Sequence, residues 1–559
     1  MKKTSLLFCL LAAILCAPLS PAWSEDWRNL VQPLGTLIAV ETAATVNARL
    51  GGIPPFENST DVTTIQTTVP QYFIRFYNPA DPVNPSNPVG SWVMRTATVR
   101  GLTPAQVRDL FALPSFPTNM TMVLVPAGTL IYTGIAAPIA GWGAGGEQQS
   151  KLIGPPWVPA DNFFNRQAVE SCILCYRTRA TAGNANRIAT YLDARIPEAW
   201  SDLETVYLNL DLLYLPALSG PLQEALDRIG PGRYDRLTAD ALRTGGMTSD
   251  AVDQRVSAAF LEDRTKTGAL LQVAGPVFLP SGDHDGKNLQ AWMQMAGGIQ
   301  RAGDMGFNAV SGGVVGGVDR RSGRNLLVGL SLGFIRSTQS WTDGGGGART
   351  DYTRLGMYAA WLARDYFVQA GLSGGYATGD ATRPISFSYL AREAESHPES
   401  WEVNPRLRLG YRLPIAMMDA VPSLAVDYVH QYRRGFSETG AGSLDLRVGS
   451  VQARTLRSHL DVAVSKQIPL GEKSVFTPQL RVGWAYHHPL DDRSLTAGLR
   501  SQPDDFVVYG NDRPAGFWTA GAGFTLTTGG DVTLAASYGL ERGRETTSQK
   551  LALELQYRF

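Results

Sequence analysis

Hydrophobic and polar positions alternate with period two at the end of this chain. In LALELQYRF (551–559), Leu551, Leu553, Leu555, Tyr557 and Phe559 fall on one face of a strand, and Ala552, Glu554, Gln556 and Arg558 on the other. The same alternation recurs from Asn288 onward in segments of roughly ten to fourteen residues, long enough for a tilted strand to cross a bilayer. Examples are NLLVGLSLGF (325–334), YTRLGMYAAWLA (352–363), YFVQAGLSGGYA (366–377), PSLAVDYVHQY (422–432), PQLRVGWAYHH (478–488), GFWTAGAGFTLTT (516–528) and DVTLAASYGLE (531–541). Turn signals such as RRSGRN, DGGGGART, LGEKS and TTGGD separate them. Upstream, over residues 184–244, the rhythm becomes helical, with Ile188 and Leu192, then Leu222, Leu226 and Ile229, on one face; a further helical stretch covers about 249–266.

A soluble sandwich would alternate too, so the polar face decides. In PRLRLGYRL (405–413) and VQARTLRSHLDVAVSKQ (451–467) it carries Arg, Gln, Ser and Thr, which a barrel lumen accepts and a sandwich core does not. The pattern therefore predicts a mostly β chain with a C-terminal transmembrane antiparallel barrel over 288–559. A helical segment and a small α+β region precede it. Composition agrees: 58 glycines and 20 tyrosines beside 18% charged residues suit many turns and aromatic girdles. A formal net charge of zero gives no electrostatic reason to expect nucleic acid.

The first 24 residues read as a secretory signal: Lys2 and Lys3, an apolar run to Leu19, and small residues Ala22 and Ser24 before Glu25. A lipoprotein reading of Cys16 meets Leu15 where a small residue is needed. The uncharged stretch 120–146 is broken by Pro126, Gly128, Gly134 and Pro138, so it reads as buried strands and turns rather than a membrane helix.

The six histidines, His284, His397, His430, His459, His487 and His488, lie in or beside the barrel half. Residues 25–183 therefore hold none for a Ser-His-Asp triad or a zinc site, and no metal site is expected. Cys172 and Cys175 are the cysteines left after signal removal; in an oxidising compartment their spacing favours a local disulfide, against a redox pair or half of a metal site.

Residues 289–334, the strand around Tyr352 to Trp361 and the Phe559 terminus together resemble the translocator domain of autotransporters, through Trp292, the Gly316, Gly317 and Asp319 cluster and the last strand. ALDRIGPGRYDRL (225–237) is similar to the helical junction that precedes many translocators. The resemblance implies about twelve strands, a helical junction and pore-threading segment over 184–287 with the stretch at about 249–266 as the helix threaded through the pore, and a short passenger over 25–183 displayed at the surface or secreted. It also implies the outer-membrane bilayer, the Sec export machinery and the barrel-assembly machinery as partners, with Tyr557 and Phe559 as the assembly signal. The rival reading is a porin-like channel with a periplasmic N-terminal domain.

Within the passenger, the order QYFIRFYN (71–78), GSWVM (90–94), LTPAQVRDLFALP (102–114), MVLVPAGTLIYTG (122–134) and IAGWGAGGEQQ (139–149) resembles the tuberculosis necrotizing toxin class of NAD glycohydrolases and ADP-ribosyltransferase-like domains. That resemblance implies NAD as substrate, with Arg75 on its phosphates, Ser91 and Trp92 lining the nicotinamide side and Gln148 holding the ribose. The sequence departs from the pattern by lacking a histidine and by reading Gly143-Ala144-Gly145-Gly146 in the loop, where Glu147 is the acidic candidate. A non-catalytic adhesion or interaction module is the alternative.

Overall fold

The computed structural model describes residues 35–557 except 155–156, 181, 199–200, 215–218, 263–288, 323–324, 471–473, 512–514 and 529–531. The signal-peptide reading of residues 1–24 and the terminal Phe559 lie outside the described residues.

The N-terminal region is a two-sheet α+β unit. Its strands are β1 (Gly35–Thr42), β2 (Asp61–Thr67), β3 (Gln71–Tyr77), β4 (Trp92–Val93), β5 (Asn119–Val125), β6 (Leu130–Ile135), β7 (Gln148–Ile153) and β8 (Phe163–Ala168), with helices α1 (Ala43–Leu50), α2 (Thr96–Val99) and α3 (Pro104–Leu110) between them. One sheet runs β1-β2-β6-β7-β4 and the other β3-β5-β8. The uncharged 120–146 stretch supplies β5 and β6, and its Pro126–Gly128 turn, with Gly128 at φ 86°, carries the chain from one sheet to the other. Phe73, Val123, Val125 and Phe163 meet Val93, Ile131 and Leu152 between the sheets. The outer face of the smaller sheet, through Ile74, Phe76 and Met120, continues into the core of the next segment.

That segment holds α4 (Gly183–Asp193), α5 (Asp202–Leu213) and α6 (Ser219–Ile229). Ser201 caps α5 by accepting from the Glu204 N–H at 3.2 Å, with Asp202 and Glu204 in the positive first turn. Ile188, Leu192, Leu222, Leu226 and Ile229 are all buried, as the helical spacing requires. Next comes the 27-residue α7 (Arg236–Glu262), which starts inside the stretch read as junction and thirteen residues or so before the helix expected near 249.

The barrel strands are β9 (Leu289–Ala302), β10 (Phe307–Ser322), β11 (Leu326–Trp341), β12 (Gly347–Leu362), β13 (Tyr366–Phe387), β14 (Glu399–Tyr411), β15 (Met418–Arg433), β16 (Val451–Ser465), β17 (Ser474–Pro489), β18 (Ala515–Thr528), β19 (Val532–Arg542) and β20 (Thr546–Tyr557). Each pairs antiparallel with the next, and β20 pairs with β9, closing a barrel of 12 strands without a free edge. Alternation sorts side chains as expected: Leu407 and Leu409 face out, 49% and 42% exposed, while Arg408 between them is buried in the lumen. On β11 the outward residues Val328, Leu330, Leu332 and Phe334 give way to Arg336, which pairs in the open with Asp351. From Leu326 to Phe334 the strand climbs roughly 27 Å, or about 21 Å after a ~40° tilt, close to the apolar band of an outer-membrane barrel. Outward Trp361, Tyr366 and Tyr411 mark one rim of that band and Trp401, Tyr432 and Trp518 the other.

The two ends of the barrel differ. Tight connections such as 363–365 and 412–417 join strands at one end, whereas at the other 434–450 and 490–511 form long loops and a strand at Leu390–Ser396 folds back on the end of β13. The strands Phe436–Ser437, Leu446–Val448, Ser494–Leu499 and Phe506–Tyr509 make a separate four-stranded sheet from those long loops. The α4–α6 segment rests on it.

Candidate functional site

The lumen is filled on one side by α7. Its N-terminal end sits among the long loops, where Arg236 pairs with Asp343 and Asp235 accepts from Arg493 at 2.6 and 2.8 Å. Its C-terminal end reaches the tight-turn end, where Arg321 donates to Ala259 O at 2.6 Å and Phe260 packs on Phe367, centroids 5.2 Å apart. Strand β9 begins at that same end, Leu289 lying opposite Arg320. The described residues of 35–235 and the start of the first barrel strand are thus at opposite mouths of the pore, with α7 running through it.

Polar contacts fasten the helix to the wall along its length. Asp240 accepts from Tyr352 Oη at 2.9 Å and pairs with Arg243, whose Nη1 reaches Ser311 at 2.8 Å. Arg354, bound to Glu402, also donates to Thr244 Oγ1 at 2.9 Å. Asp250 pairs with Lys550 at 2.8 Å. Asp253 accepts from Arg406 at 2.6 Å and from Gln369 at 2.9 Å, while Arg406 also holds Asp427 at 2.6 Å. These partners were legible only as charged residues on inward strand positions, not as pairs.

The residues that carry the family resemblance assemble into one buried relay. Arg255 makes a two-bond fork to Asp319 at 2.7 and 2.8 Å, both side chains fully buried. Asp319 also accepts from Tyr358 Oη at 2.8 Å, and Tyr358 Oη accepts from Trp292 Nε1 at 2.8 Å. Gly317 is needed beneath that indole: a Cβ there would collide with Leu330 O and lie 2.8 Å from the Trp292 ring. Trp292, Gly317 and Asp319 thus build the seat for the helix together.

Beside the helix a cavity of about 300 Å³ remains, bounded by Asp250, Gln254, His459, Arg481 and Lys550. His459 and His487 stand 6.1 Å apart, centroid to centroid, and among the described residues no group of three His, Cys, Asp or Glu is placed to hold a metal.

In the N-terminal α+β region, Arg75 donates from Nε to Asn87 O and from Nη1 to Trp92 O, each at 3.0 Å, and its guanidinium lies against Gly90, where a Cβ would come within 2.6 Å of Nη2. Ser91 Oγ accepts from Lys151 Nζ at 3.1 Å, and the same ammonium lies 4.6 Å from the Trp92 ring centroid. Burial lowers the pKa of both Arg75 and Lys151. Register brings Trp92 opposite Lys151 on the neighbouring strand. Gln148 sits three residues from Lys151 on β7, so its side chain leaves the other face of the sheet. Arg75, Ser91 and Trp92 are thus together, with Lys151 as a member the sequence reading missed, while Gln148 projects away from the Trp92 ring. That ring packs on Phe56, centroids 5.7 Å apart. Cys172 and Cys175 are joined as a disulfide, their Cα atoms 5.7 Å apart. Tyr557 ends β20 opposite Val532.

Residues 291–539 match the family model described as the autotransporter β-domain. Among solved structures, the translocator domain of the autotransporter NalP from Neisseria meningitidis is 20% identical, covering 50% of this chain and 90% of that one with a TM-score of 0.39. The β-domain of the Bordetella autotransporter Brka is 18% identical, covering 48% and 98% with a TM-score of 0.35. The Pseudomonas putida toluene transporter TodX is 10% identical, covering 50% and 94% with a TM-score of 0.32. No curated protein matches the chain. On the family match, the C-terminal barrel of this chain is an autotransporter β-domain, a barrel of the bacterial outer membrane.

Proposed function

We propose that this chain exports its own N-terminal domain through or with its barrel and holds it at the cell surface. The observation that carries the reading is topological: α7 spans the lumen, so the described residues before Arg236 lie at the long-loop mouth while β9 starts at the other. Outer-membrane barrels keep short turns in the periplasm and long loops outside. A porin-like channel with a periplasmic N-terminal domain would put residues 35–235 at the tight-turn end instead. Protease added to intact cells should cleave within 35–235 and leave the barrel; a passenger cut only after the outer membrane is opened would refute surface display.

For the passenger we propose NAD as substrate. The support is the order of the motifs and the gathering of Arg75, Ser91 and Trp92 around one dipeptide turn. Nicotinamide leaves as a neutral group from a cationic donor, so the chemistry demands positioning and charge stabilisation more than acid or base. The full-length protein in detergent should deplete NAD, and Ser91→Ala, which removes a hydroxyl of the gathered cluster, should lower that activity without shifting the unfolding transition. An unchanged NAD level with purified, folded protein would leave the adhesion-module reading in its place.

A further inference from the structure

In the connection between β8 and α4, the Cys172–Cys175 disulfide closes a ring of four residues. The ring touches both of the bodies it connects. On one side it holds the turn between α2 and α3: the Gly101 N–H donates to Ile173 O at 2.8 Å and the Ile173 N–H to Leu102 O at 3.0 Å. On the other, Asp193 at the end of α4 accepts from the N–H groups of Tyr176 and Arg177 at 2.8 and 3.0 Å. Arg100 lies between. It donates to Leu174 O at 2.6 Å, pairs with Asp211 on α5, and stacks over the rings of Tyr176 and Tyr207. Ile173 and Leu174 are buried in the core that the two bodies share, and Cys175 is buried beside them, whereas Cys172 is half-buried. Leu174 holds φ 52°, a left-handed conformation that is unfavourable for a bulky side chain. Closure over four residues leaves its backbone little freedom to escape. Once the ring opens, Leu174 can return to negative φ, which carries its carbonyl away from Arg100 and strands a buried donor.

We propose that Cys172 is a thiol-exchange site for low-molecular-weight thiols, and that the ring is a latch holding the N-terminal α+β region onto α4 and α5. This proposal stands apart from the NAD reading. A thiolate attacks the accessible Cys172 Sγ, a new S–S bond forms there, and the Cys172–Cys175 bond breaks with its electron pair going to Cys175 Sγ, which takes a proton from solvent. A second thiol then attacks the mixed disulfide, so that two thiols are oxidised to one disulfide and the ring is reduced to two cysteines.

The test uses the full-length protein in detergent, reduced glutathione or dithiothreitol, and hydrogen exchange read by mass spectrometry. Trapping with iodoacetamide early in the glutathione reaction should find glutathione on Cys172 and the alkyl group on Cys175. After full reduction, the amides of 99–102 and 173–177 should exchange roughly tenfold faster or more, as expected when a buried charged donor loses an acceptor, while the barrel strands keep their rates. The double variant Cys172→Ser, Cys175→Ser should exchange as fast as the reduced parent and ignore added thiol. Unchanged exchange in both segments after complete reduction would overturn the latch, and so would acceleration that spreads through the barrel. Glutathione on Cys175, or a ring that glutathione leaves closed, would overturn Cys172 as the exchange site.

Discussion

The pair Arg255–Asp319 allows the role of the lumen contacts to be measured. Both side chains are fully buried, the guanidinium forks onto the carboxylate at 2.7 and 2.8 Å, and Asp319 takes a third bond from Tyr358 at 2.8 Å. Removing one partner of such a pair strands a charge and costs about 3–5 kcal/mol, whereas replacing both by apolar groups of similar size is often near neutral. Asp319→Leu should therefore destabilise the barrel by about 3–5 kcal/mol, with up to ~1–3 kcal/mol of that from the orphaned Tyr358 hydroxyl. Arg255→Met strands the carboxylate instead and should cost a similar amount. The double variant should recover to within about 2 kcal/mol of the parent, giving a coupling of at least ~4 kcal/mol in a double-mutant cycle. Urea unfolding of the protein in lipid vesicles, followed by the folded and unfolded bands in unheated gels, provides the free energies. If the two single losses add to within about 0.5 kcal/mol in the double variant, Arg255 and Asp319 do not act as a pair and the account of the helix seat is wrong.

Two further outcomes follow from particular residues. Deleting Phe559 should sharply lower the amount of heat-modifiable barrel in outer-membrane fractions, since the last strand, which closes onto β9, then lacks its aromatic end; normal assembly of the deletion would refute the signal role. Asp202 on α5 accepts from Arg392 at 2.7 Å and from the Ser443 N–H at 2.8 Å on the outer loops. Burial pushes its carboxyl up, but Arg392 and Ser443 outweigh burial and hold it below the usual carboxylate range. A depressed folded pKa contributes stability that is present above the unfolded value near 4 and is lost as pH falls through the folded one. Docking of α5 on the loops should therefore loosen below about pH 4, seen as new protease cuts between residues 194 and 218, and Asp202→Asn should remove that acid-induced step; an identical pH profile in the variant would exclude Asp202 as its source.

Period-two alternation was sufficient to place the barrel. Leu407 and Leu409 face outward and Arg408 inward because neighbouring side chains on a strand leave opposite faces, a rule that acts within a few residues and needs no partner. Helical spacing likewise marked Ile188, Leu192, Leu222, Leu226 and Ile229 as a buried stripe. The start of α7 was not legible, because Arg236 to Thr248 is too polar to show a stripe: its Arg, Asp and Thr side chains are buried against a charged wall that exists only after closure. Nor could alternation name partners. Asp319 reads simply as an inward acid, and its pairing with Arg255 depends on the register between β10 and its neighbours and on the depth of the helix. The N-terminal region shows the same limit. Arg75, Trp92 and Gln148 follow one another in the order of the motif, but only the pairing of β4 with β7 sets Lys151 beside Trp92 and turns Gln148 to the opposite face. Sequence by itself determined which face each strand residue takes, since that is local; the tertiary structure decided which charges meet, since that depends on closure, register and the path of a helix through the pore.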